Sequence, residues 1–488
     1  MALVLDEGKP MFLRQINDPA LAQYAYLIGC PQTAEALVVD PERDIDRYRA
    51  LARTHDLRIT AVAETHIHAD FVSGSQEFAA DSSVTVYLSG EGGDDWSYKW
   101  PRGRGKVILL RHGMSFRVGS IEVTAIHTPG HTPEHLSYLI TDSGGGADAP
   151  MALIAGDFLF VGDVGRPDLL ETALGVSGIG AFAARQLQKS LVERLAGFPD
   201  FLQILPGHGA GSSCGKALSA IPMSVLGYER RFNHSLKLAN TDAAAFVEDI
   251  LSGQPDPPPY FARMKMANRD GIAVAKDFPR PGKLMPEEAV AFAMEHRGAL
   301  LDTRSDHASF DAGHPAGALY APYPGTFFLT SAGSYIDEDE QILLLVEREA
   351  DVEEMSRQLF RIGFDHLGGY VLASEAASAG WLTERTARVD FATWNREALS
   401  SQEIILDVRN VSEFLEGHLP GAVNVPYTRL RSRLGELSRD KRFYVHCGSG
   451  KRAALAASFL NLKGFDALHV DGLCEDCQRI AKARGYTH

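Results

Sequence analysis

The sequence predicts an α/β protein of several domains, and three observations support this prediction. At 488 residues the chain is too long for one ordinary hydrophobic core. Short β-rich runs alternate with helical patterns through the first half, as at residues 59–63 and 180–195. The second half contains an internal repeat offset by about a hundred residues.

The first half contains enough β-rich runs for a complete α/β domain. We predict strands at residues 36–39, 59–63, 84–88, 121–126, 152–155 and 203–205. Near residue 245 this pattern gives way to Gln254-Pro255-Asp256-Pro257-Pro258-Pro259, where consecutive prolines remove the backbone donors that a helix or sheet needs. The sequence therefore predicts a first domain over residues 1–250 and a Pro-rich linker over residues 251–282.

The internal repeat predicts two small α/β domains after the linker. Its first copy contains Leu301-Asp302-Thr303-Arg304, Gly313-His314 and Gly363-Phe364, which parallel Leu406-Asp407-Val408-Arg409, Gly417-His418 and Gly464-Phe465 in the second copy. A strand, a turn, a strand and a helix recur in each, which is typical of a doubly wound parallel sheet. We predict these two domains over residues 283–380 and 395–488.

Composition excludes several classes of protein. The chain is 45% hydrophobic and 23% charged with a net charge of −15, which argues against extended disorder and against a general nucleic-acid surface. It contains no apolar run of membrane-spanning length, so we expect no membrane partner. An odd number of cysteines, five, does not form a secreted disulfide framework, and we expect a cytoplasmic protein.

Candidate metal ligands follow several of the predicted strands. His66, His68 and Asp70 lie in Thr65-His66-Ile67-His68-Ala69-Asp70-Phe71, directly after an apolar run. His131, Asp157 and His208 each follow another apolar run, in turns rich in Pro and Gly. Because strand ends meet at one edge of an α/β sheet, we expect these side chains to converge on a metal site.

These motifs resemble the metallo-β-lactamase superfamily over roughly the first half of the chain. Within it, residues 65–70, Thr128-Pro129-Gly130-His131-Thr132, Gly156-Asp157 and residues 162–168 look most like persulfide dioxygenases. The resemblance implies an αββα sandwich and one Fe(II) per dioxygenase domain, held by His66, His131 and Asp157. Two imidazoles and one carboxylate are a ligand set that suits Fe(II) activating O₂.

Phe71 departs from the superfamily pattern His-x-His-x-Asp-His, because a benzyl group cannot bind a metal. We therefore predict a mononuclear centre in which His68, Asp70 and His208 remain from a vacated second site. A zinc site formed by His66, His68 and His131 stays open as an alternative. The predicted substrate-binding residues are Phe71 as an apolar wall, Arg166 for a carboxylate and Cys214 as a sulfur acceptor.

A second motif indicates sulfur chemistry near the end of the chain. His446-Cys447-Gly448-Ser449-Gly450-Lys451-Arg452 joins an apolar strand to a helical pattern, so Cys447 lies at a helix N-terminus that favours the thiolate. With Asp407-Val408-Arg409 and residues 416–422, this loop resembles rhodanese, a sulfurtransferase family, over about residues 400–486. The resemblance implies a persulfide on Cys447, positive charge from Lys451 and Arg452, and a curled loop formed by Gly448, Ser449 and Gly450.

The first copy of the repeat resembles rhodanese in its scaffold only. Its loop position reads Leu345-Val346-Glu347-Arg348-Glu349-Ala350-Asp351 and contains no cysteine, so we predict an inactive domain. Cys474 and Cys477 have the spacing of a redox pair, but they follow the last strand of the repeat, and we favour a structural role.

Together these features predict a fused persulfide dioxygenase and sulfurtransferase. The first activity oxidises a persulfide of glutathione, coenzyme A or a similar thiol with O₂ to sulfite. The second interconverts sulfite and persulfide with thiosulfate and thiol, and we expect a homo-oligomer. A zinc thioester hydrolase similar to glyoxalase II is the enzymatic alternative, and a non-catalytic sulfur-binding or redox-sensing scaffold is the alternative of another class.

Overall fold

The computed structural model describes residues 10–169, 178–275, 277–296, 298–391, 394 and 399–472. The chain forms two compact units, Met1–Asp277 and Phe278–His488. Cys474 and Cys477 lie outside the described residues. Among the helices that the structure describes, none is both long and apolar enough to cross a membrane.

The first unit contains two six-stranded sheets. The first sheet has the order β1-β2-β3-β4-β5-β6, with β1 Phe12–Asp18, β2 Gln23–Cys30, β3 Glu35–Val39, β4 Arg58–Ala63, β5 Thr85–Ser89 and β6 Lys106–Leu110. The second has the order β12-β11-β10-β9-β8-β7, with β7 Ser115–Val118, β8 Ile121–His127, β9 Leu136–Asp142, β10 Ala152–Gly156, β11 Gln203–Pro206 and β12 Ser224–Val225.

The helices of this unit cover the outer faces of the two sheets. They are α1 Asp46–Thr54, α2 Ser75–Ala79, α3 Gly180–Leu195, α4 Leu226–Phe232, α5 His234–Thr241, α6 Ala243–Leu251 and α7 Tyr260–Asp270. One buried cluster joins Tyr26 of β2 to Tyr138 of β9 between the sheets. A second packs Val38 of β3 against α1 and α2, and a third packs Leu153 of β10 against α3 and α6. The layers are therefore helix, sheet, sheet, helix, which confirms the predicted αββα sandwich.

The first unit extends beyond the predicted boundary at residue 250. Helix α7 lies in the segment that the sequence predicts as a linker, and Tyr260, Phe261 and Met264 on it are buried. The side-chain amide of Asn268 donates to the backbone oxygens of His68 and Phe71. Prolines 257–259 end before this helix begins, so they interrupt regular structure without detaching α7 from the first unit.

The second unit contains two parallel sheets that share four strands in the same order, and the second sheet has a fifth strand at one edge. The first copy has the order β14-β13-β15-β16, with β13 Ala299–Asp302, β14 Ala318–Tyr320, β15 Ile342–Val346 and β16 Leu367–Leu372. The second copy has the order β17-β21-β20-β18-β19, with β17 Arg388–Asp390, β18 Glu403–Asp407, β19 Val423–Asn424, β20 Arg442–His446 and β21 Asp466–Asp471. The helices are α8 Pro286–His296, α9 His307–Ala312, α10 Thr326–Tyr335, α11 Val352–Arg361, α12 Ala373–Ser378, α13 Val411–Glu416 and α14 Lys451–Leu462.

The repeated residues make the same contacts in both copies. Arg304 pairs with Asp302 through two nitrogens and donates to the Gly313 carbonyl at 2.7 Å. In the second copy Arg409 pairs with Asp407 and donates to the Gly417 carbonyl at 2.8 Å. The motif Asp-x-Arg thus joins the first strand to the turn that precedes the second, which explains why these residues recur together.

Candidate metal centre and sulfur-transfer loop

His66, His131 and Asp157 meet at one end of the sandwich. Each follows a strand, respectively β4, β8 and β10, and one ligand atom from each lies within 4.8 Å of the others. All three side chains are buried. Gly156, just before Asp157, has a φ of 53°, and a Cβ there would lie 2.7 Å from the Thr65 hydroxyl oxygen, so only glycine fits this close turn.

A relay of hydrogen bonds orients His66. The Thr65 hydroxyl donates to Asp40 Oδ2 at 2.9 Å, and it lies 2.9 Å from His66 Nδ1. Since the hydroxyl hydrogen is used on Asp40, its oxygen accepts from His66 Nδ1–H. The lone pair of His66 is then on Nε2, which is the nitrogen free to bind a cation.

His131 is oriented in the same way by a backbone carbonyl. Its Nδ1 donates to the carbonyl oxygen of Arg166 at 2.9 Å, which leaves the lone pair on Nε2. That Nε2 lies 3.5 Å from Asp157 Oδ2, a buried oxygen with no hydrogen-bond partner. An unpaired buried carboxylate oxygen facing two imidazole lone pairs is the arrangement that a bound cation stabilises, so these residues fit a metal ion.

The ionisation states of the three residues also suit a metal. Burial, reinforced by the nearby His68 and His131, lowers the pKa of His66 well below its usual value. Burial lowers the pKa of His131 as well. Burial alone would raise the pKa of Asp157, but the neighbouring His208 and His131 outweigh it and hold that pKa below its usual range. Two neutral imidazoles and a carboxylate are the forms that coordinate metals.

His68 lies beside His66, with ring centroids 4.2 Å apart, but its Nε2 points to two carboxylates outside this group. Its Nε2 hydrogen bonds to Asp40 Oδ1 at 3.1 Å and lies 3.1 Å from Glu64 Oε2. Burial lowers the pKa of His68, but these two carboxylates outweigh burial and raise it well above the usual value. The ring packs on Phe71 with centroids 4.4 Å apart. The ligand atoms of His68 group with those of Asp40 and Glu64, whereas those of His66 and His131 group with Asp157, so the set that the zinc alternative requires is not formed among the described residues.

Asp70 and His208 form a second buried group with Cys214, and one ligand atom from each lies within 4.8 Å of the others. His208 bridges two carboxylates, with Nδ1 2.8 Å from Asp157 Oδ1 and Nε2 2.9 Å from Asp70 Oδ2. Burial lowers the pKa of His208, but Asp157 and the other acidic neighbours raise it well above its usual value. His208 therefore connects Asp157 of the candidate metal centre to Asp70, with the Cys214 thiol beside it.

Arg166 has a structural position and does not face a substrate. Its side chain is buried and bonds to both carboxylate oxygens of Asp168 and to the backbone oxygens of Ser213 and Pro255. This corrects the prediction that Arg166 holds a substrate carboxylate, because these partners already occupy its guanidinium. Its contribution to the site is the carbonyl that orients His131.

Several residues near the centre were not among the predicted ones. Asp40 anchors both Thr65 and His68 and adopts a left-handed φ of 51°, a conformation that non-glycine residues keep only where contacts enforce it. Glu134 accepts from the Ile67 backbone N–H at 2.8 Å, and burial raises its pKa to about 7. One signal could have found Asp40, namely its position directly after a predicted strand.

The Cys447 loop connects strand β20 to helix α14. Cys447 follows β20 and is buried, and Gly450, with a φ of 86°, precedes helix α14. Arg452 in the first turn of α14 makes a two-pronged ion pair with Glu413, at 2.6 and 2.8 Å. Ser449 and Lys451 are exposed at the mouth of the loop, so an anionic acceptor can reach positive charge there.

The corresponding loop of the first copy contains no cysteine, and its charged side chains bond to residues within the same copy. The Arg348 guanidinium pairs with Asp351, and Glu347 accepts from the Ser305 backbone N–H. The Tyr370 hydroxyl donates to Glu349. Its acidic side chains would repel an anion such as sulfite.

Comparison with known proteins identifies the class of this chain. Residues 18–208 match the metallo-beta-lactamase superfamily and residues 391–476 match the rhodanese-like domain. A crystal structure of a metallo-beta-lactamase from Staphylococcus aureus subsp. aureus COL is 38% identical, has a TM-score of 0.65 and covers 75% of this chain and 99% of that chain. The chain belongs to the metallo-beta-lactamase superfamily, and a rhodanese-like domain follows its metallo-beta-lactamase fold.

Two curated relatives align with the first unit at lower identity. The mitochondrial persulfide dioxygenase ETHE1 of Homo sapiens is 27% identical over 206 residues, 41% of this chain and 69% of that protein. A hydroxyacylglutathione hydrolase of Polaromonas sp. is 27% identical over 262 residues, 49% of this chain and 90% of that protein. The first unit is thus similar both to an oxygen-dependent and to a hydrolytic branch of the superfamily.

Proposed function

We propose that the first unit is a mononuclear Fe(II) persulfide dioxygenase and that the second copy of the repeat is its sulfurtransferase. The observation that supports this most directly is the set of two imidazoles and one carboxylate, His66, His131 and Asp157. His68 is not part of this set, and its Nε2 is held by Asp40. This is the ligand set that non-heme iron oxygenases use, and it leaves coordination positions for substrates. The similarity to persulfide dioxygenase ETHE1 agrees with this assignment.

The first reaction is R-S-SH + O₂ + H₂O → R-SH + SO₃²⁻ + 2 H⁺, in which the outer sulfur is oxidised and O₂ is reduced. A ferrous iron in the site would supply the redox chemistry that activates dioxygen toward sulfur. His66 and His131 remain neutral donors because Thr65 and the Arg166 carbonyl hold their other nitrogens. Phe71, which is fully buried, and His68 exclude water from the side where a second metal would bind.

The second reaction passes sulfane sulfur through Cys447. The Cys447 thiolate attacks the outer sulfur of a persulfide, and the S–S bond of that persulfide breaks. The released thiolate takes up the proton of the outer sulfur and leaves as R-SH, so that Cys447 carries an anionic persulfide. Sulfite then attacks the outer sulfur of that persulfide, which releases thiosulfate and restores the thiolate. The exposed Lys451 at the loop mouth attracts the sulfite dianion. Thiosulfate is the net product when both sites act on one persulfide pool.

Mass balance on the full chain tests the assignment. After anaerobic reconstitution with Fe(II), glutathione persulfide or coenzyme A persulfide should give O₂ uptake and thiosulfate. Cys447→Ala should keep O₂ uptake and sulfite but lose enzymatic thiosulfate, whereas the control Cys30→Ala should keep both. Thiosulfate at the wild-type rate in Cys447→Ala would refute the coupling, and full activity with zinc alone would refute the dioxygenase.

Thioester hydrolysis is the second candidate, and the hydroxyacylglutathione hydrolase relative is the observation that favours it. A hydrolase of that kind needs zinc-bound hydroxide, and therefore ligands that hold zinc in an open site. Phe71 cannot supply a ligand, and Asp40 and Glu64 hold His68 away from the centre. Hydrolysis of S-lactoylglutathione by the zinc-loaded chain, with no O₂ uptake by the iron-loaded chain, would favour this function over the dioxygenase.

A further inference from the structure

A second set of metal-binding residues lies between the two copies of the repeat, away from the centre described above. His307, His469 and Asp471 each offer one ligand atom, and these atoms lie within 4.8 Å of one another. His307 begins helix α9 of the first copy, while His469 and Asp471 lie on strand β21 of the second copy. Residues two apart on a strand point to the same face, so both β21 side chains face His307.

The orientation of His469 points to a bound cation. Its side chain is fully buried, and Nδ1 donates to Asp311 Oδ2 at 2.6 Å. The lone pair is therefore on Nε2, and that buried nitrogen has no hydrogen-bond partner. Leaving such an acceptor buried and unpaired is unfavourable, and a bound cation would satisfy it. Metal-bound histidines almost always donate their other ring N–H to a carboxylate, a backbone carbonyl or water, as His469 does to Asp311.

The other two residues complete the set and provide access. His307 Nε2 lies 2.8 Å from Asp471 Oδ1, and these side chains are 20% and 22% exposed. Arg388 approaches the other oxygen of Asp471 at 3.2 Å, so Asp471 and Asp311 supply two negative charges against one positive charge. Small rotations of the partly exposed pair can gather the three ligand atoms around one ion, which can enter from solvent.

The cluster also touches the sulfur-transfer loop. A Cβ at Gly450 would lie 2.7 Å from Asp471 Oδ1 and 2.9 Å from His307 Nε2. Gly450 ends the Cys447 loop and precedes helix α14. The side chains of Asp471 and His307 therefore lie directly against the backbone of the loop. Of the three ligands, His307 is the one that the first copy supplies.

We propose that His307, His469 and Asp471 bind a divalent transition-metal ion of the zinc type, which links the two copies of the repeat beneath the Cys447 loop. Two imidazole nitrogens and one carboxylate oxygen suit Zn²⁺ and exclude Mg²⁺ and Ca²⁺, which prefer oxygen ligands alone. This site goes beyond the proposed dioxygenase and sulfurtransferase activities and does not depend on them. It gives the cysteine-free copy a definite role, that of supplying one ligand.

Zinc stoichiometry of the full chain tests this proposal. Purified apoprotein is titrated with Zn²⁺ against a chromophoric chelator, and metal content is measured after dialysis. His307→Ala should bind one zinc fewer than the wild type, whereas the control His366→Ala, an exposed histidine of the same copy, should match the wild type. Asp311→Asn removes no ligand and should keep the stoichiometry while weakening this one zinc by about 10–100-fold.

A thermal measurement guards against misfolding of the variants. Zn²⁺ should raise the melting temperature of the second unit in the wild type and in His366→Ala, because a ligand that binds the folded state stabilises it. In apo His307→Ala the melting temperature should remain close to that of the apo wild type, but zinc should no longer raise it. Equal zinc content in His307→Ala and the wild type, or an equal rise of their melting temperatures with zinc, would overturn the proposal and leave only hydrogen-bonded pairs here.

Discussion

Thr65→Val tests whether the relay from Asp40 to His66 sets up the metal centre. Valine has nearly the shape of threonine but lacks the hydroxyl that links Asp40 Oδ2 to His66 Nδ1. The backbone N–H of residue 65 still donates to Asp40 Oδ1, at 2.6 Å in the wild type, so the loop keeps its anchor. The substitution therefore removes the orientation of one imidazole and leaves all three ligands present.

The size of the effect depends on the two roles of the hydroxyl. Loss of a residue that orients a metal-bound histidine typically weakens metal affinity by about 10–100-fold, equivalent to about 1.4–2.8 kcal/mol. His66 Nδ1–H is also left buried without a partner, which costs the folded apoprotein about 1–3 kcal/mol. The first effect concerns only the metal-bound state, whereas the second lowers the stability of the chain with or without metal.

Anaerobic titration with Fe(II) or Co(II) measures the first effect, and denaturant unfolding of the apoprotein measures the second. Thr65→Val should need about 10–100-fold more metal for half saturation and should recover O₂ uptake at high metal. Thr54→Val is the matched control, since the Thr54 hydroxyl bonds only locally at the exposed end of α1 and should have no effect. Wild-type metal affinity in Thr65→Val would refute the relay.

Three further predictions concern stability. Asn268→Ala should lower the free energy of unfolding by about 3 kcal/mol in urea titrations, because its amide makes three buried hydrogen bonds to the backbone of residues 68, 71 and 73; an unchanged midpoint would contradict this. Burial raises the pKa of Glu134 from 4.5 to about 7, so the folded state favours the protonated side chain. The contribution of Glu134 to the free energy of unfolding is therefore fully present below pH 4.5 and is lost as the pH rises through 7. Between pH 5 and pH 7, Glu134→Gln should therefore gain stability relative to the wild type, by up to about 3 kcal/mol. A constant difference between the melting temperatures of the variant and the wild type over this pH range would refute the prediction. Arg409→Lys and Arg304→Lys should each lower the free energy of unfolding by about 2 kcal/mol, because a lysine cannot bond to the aspartate and to the glycine carbonyl together. A loss below about 0.5 kcal/mol in denaturant titrations would contradict the shared role of the two arginines.

The arrangement of the fold was predictable from local pattern. Strands such as β4 and β10 appear in the sequence as short apolar runs, and the repeat already implied two small parallel sheets. The fifth strand of the second sheet, β17, was not predicted. His66, His131 and Asp157 were predictable as a group because each follows a strand, and strand ends at one edge of a sheet are close in space.

Contacts between segments far apart in the chain were not predictable. Asn268 lies about two hundred residues from the loop that it holds, and nothing in its own neighbourhood marks it. The proline run suggested a linker because prolines exclude regular structure locally, but they say nothing about how the next helix packs. Arg166 has the same ambiguity, since its charge suits a substrate or Asp168 equally until burial shows which contact forms.

Phe71 would by itself remove one ligand from a second metal ion. The structure shows that a neighbouring histidine, His68, is also held in a form that does not bind a metal. His68 is paired with two buried carboxylates, Asp40 and Glu64, which hold its pKa well above the usual value. A protonated imidazole has no lone pair for a metal, and its ring packs on Phe71. Reverting position 71 to histidine would therefore not rebuild a two-metal site, because His68 would also have to lose its proton and leave both carboxylates. We expect Phe71→His to bind no additional metal, because Asp40 and Glu64 still hold His68. An extra zinc bound by Phe71→His would show that the two carboxylates do not keep His68 from a metal.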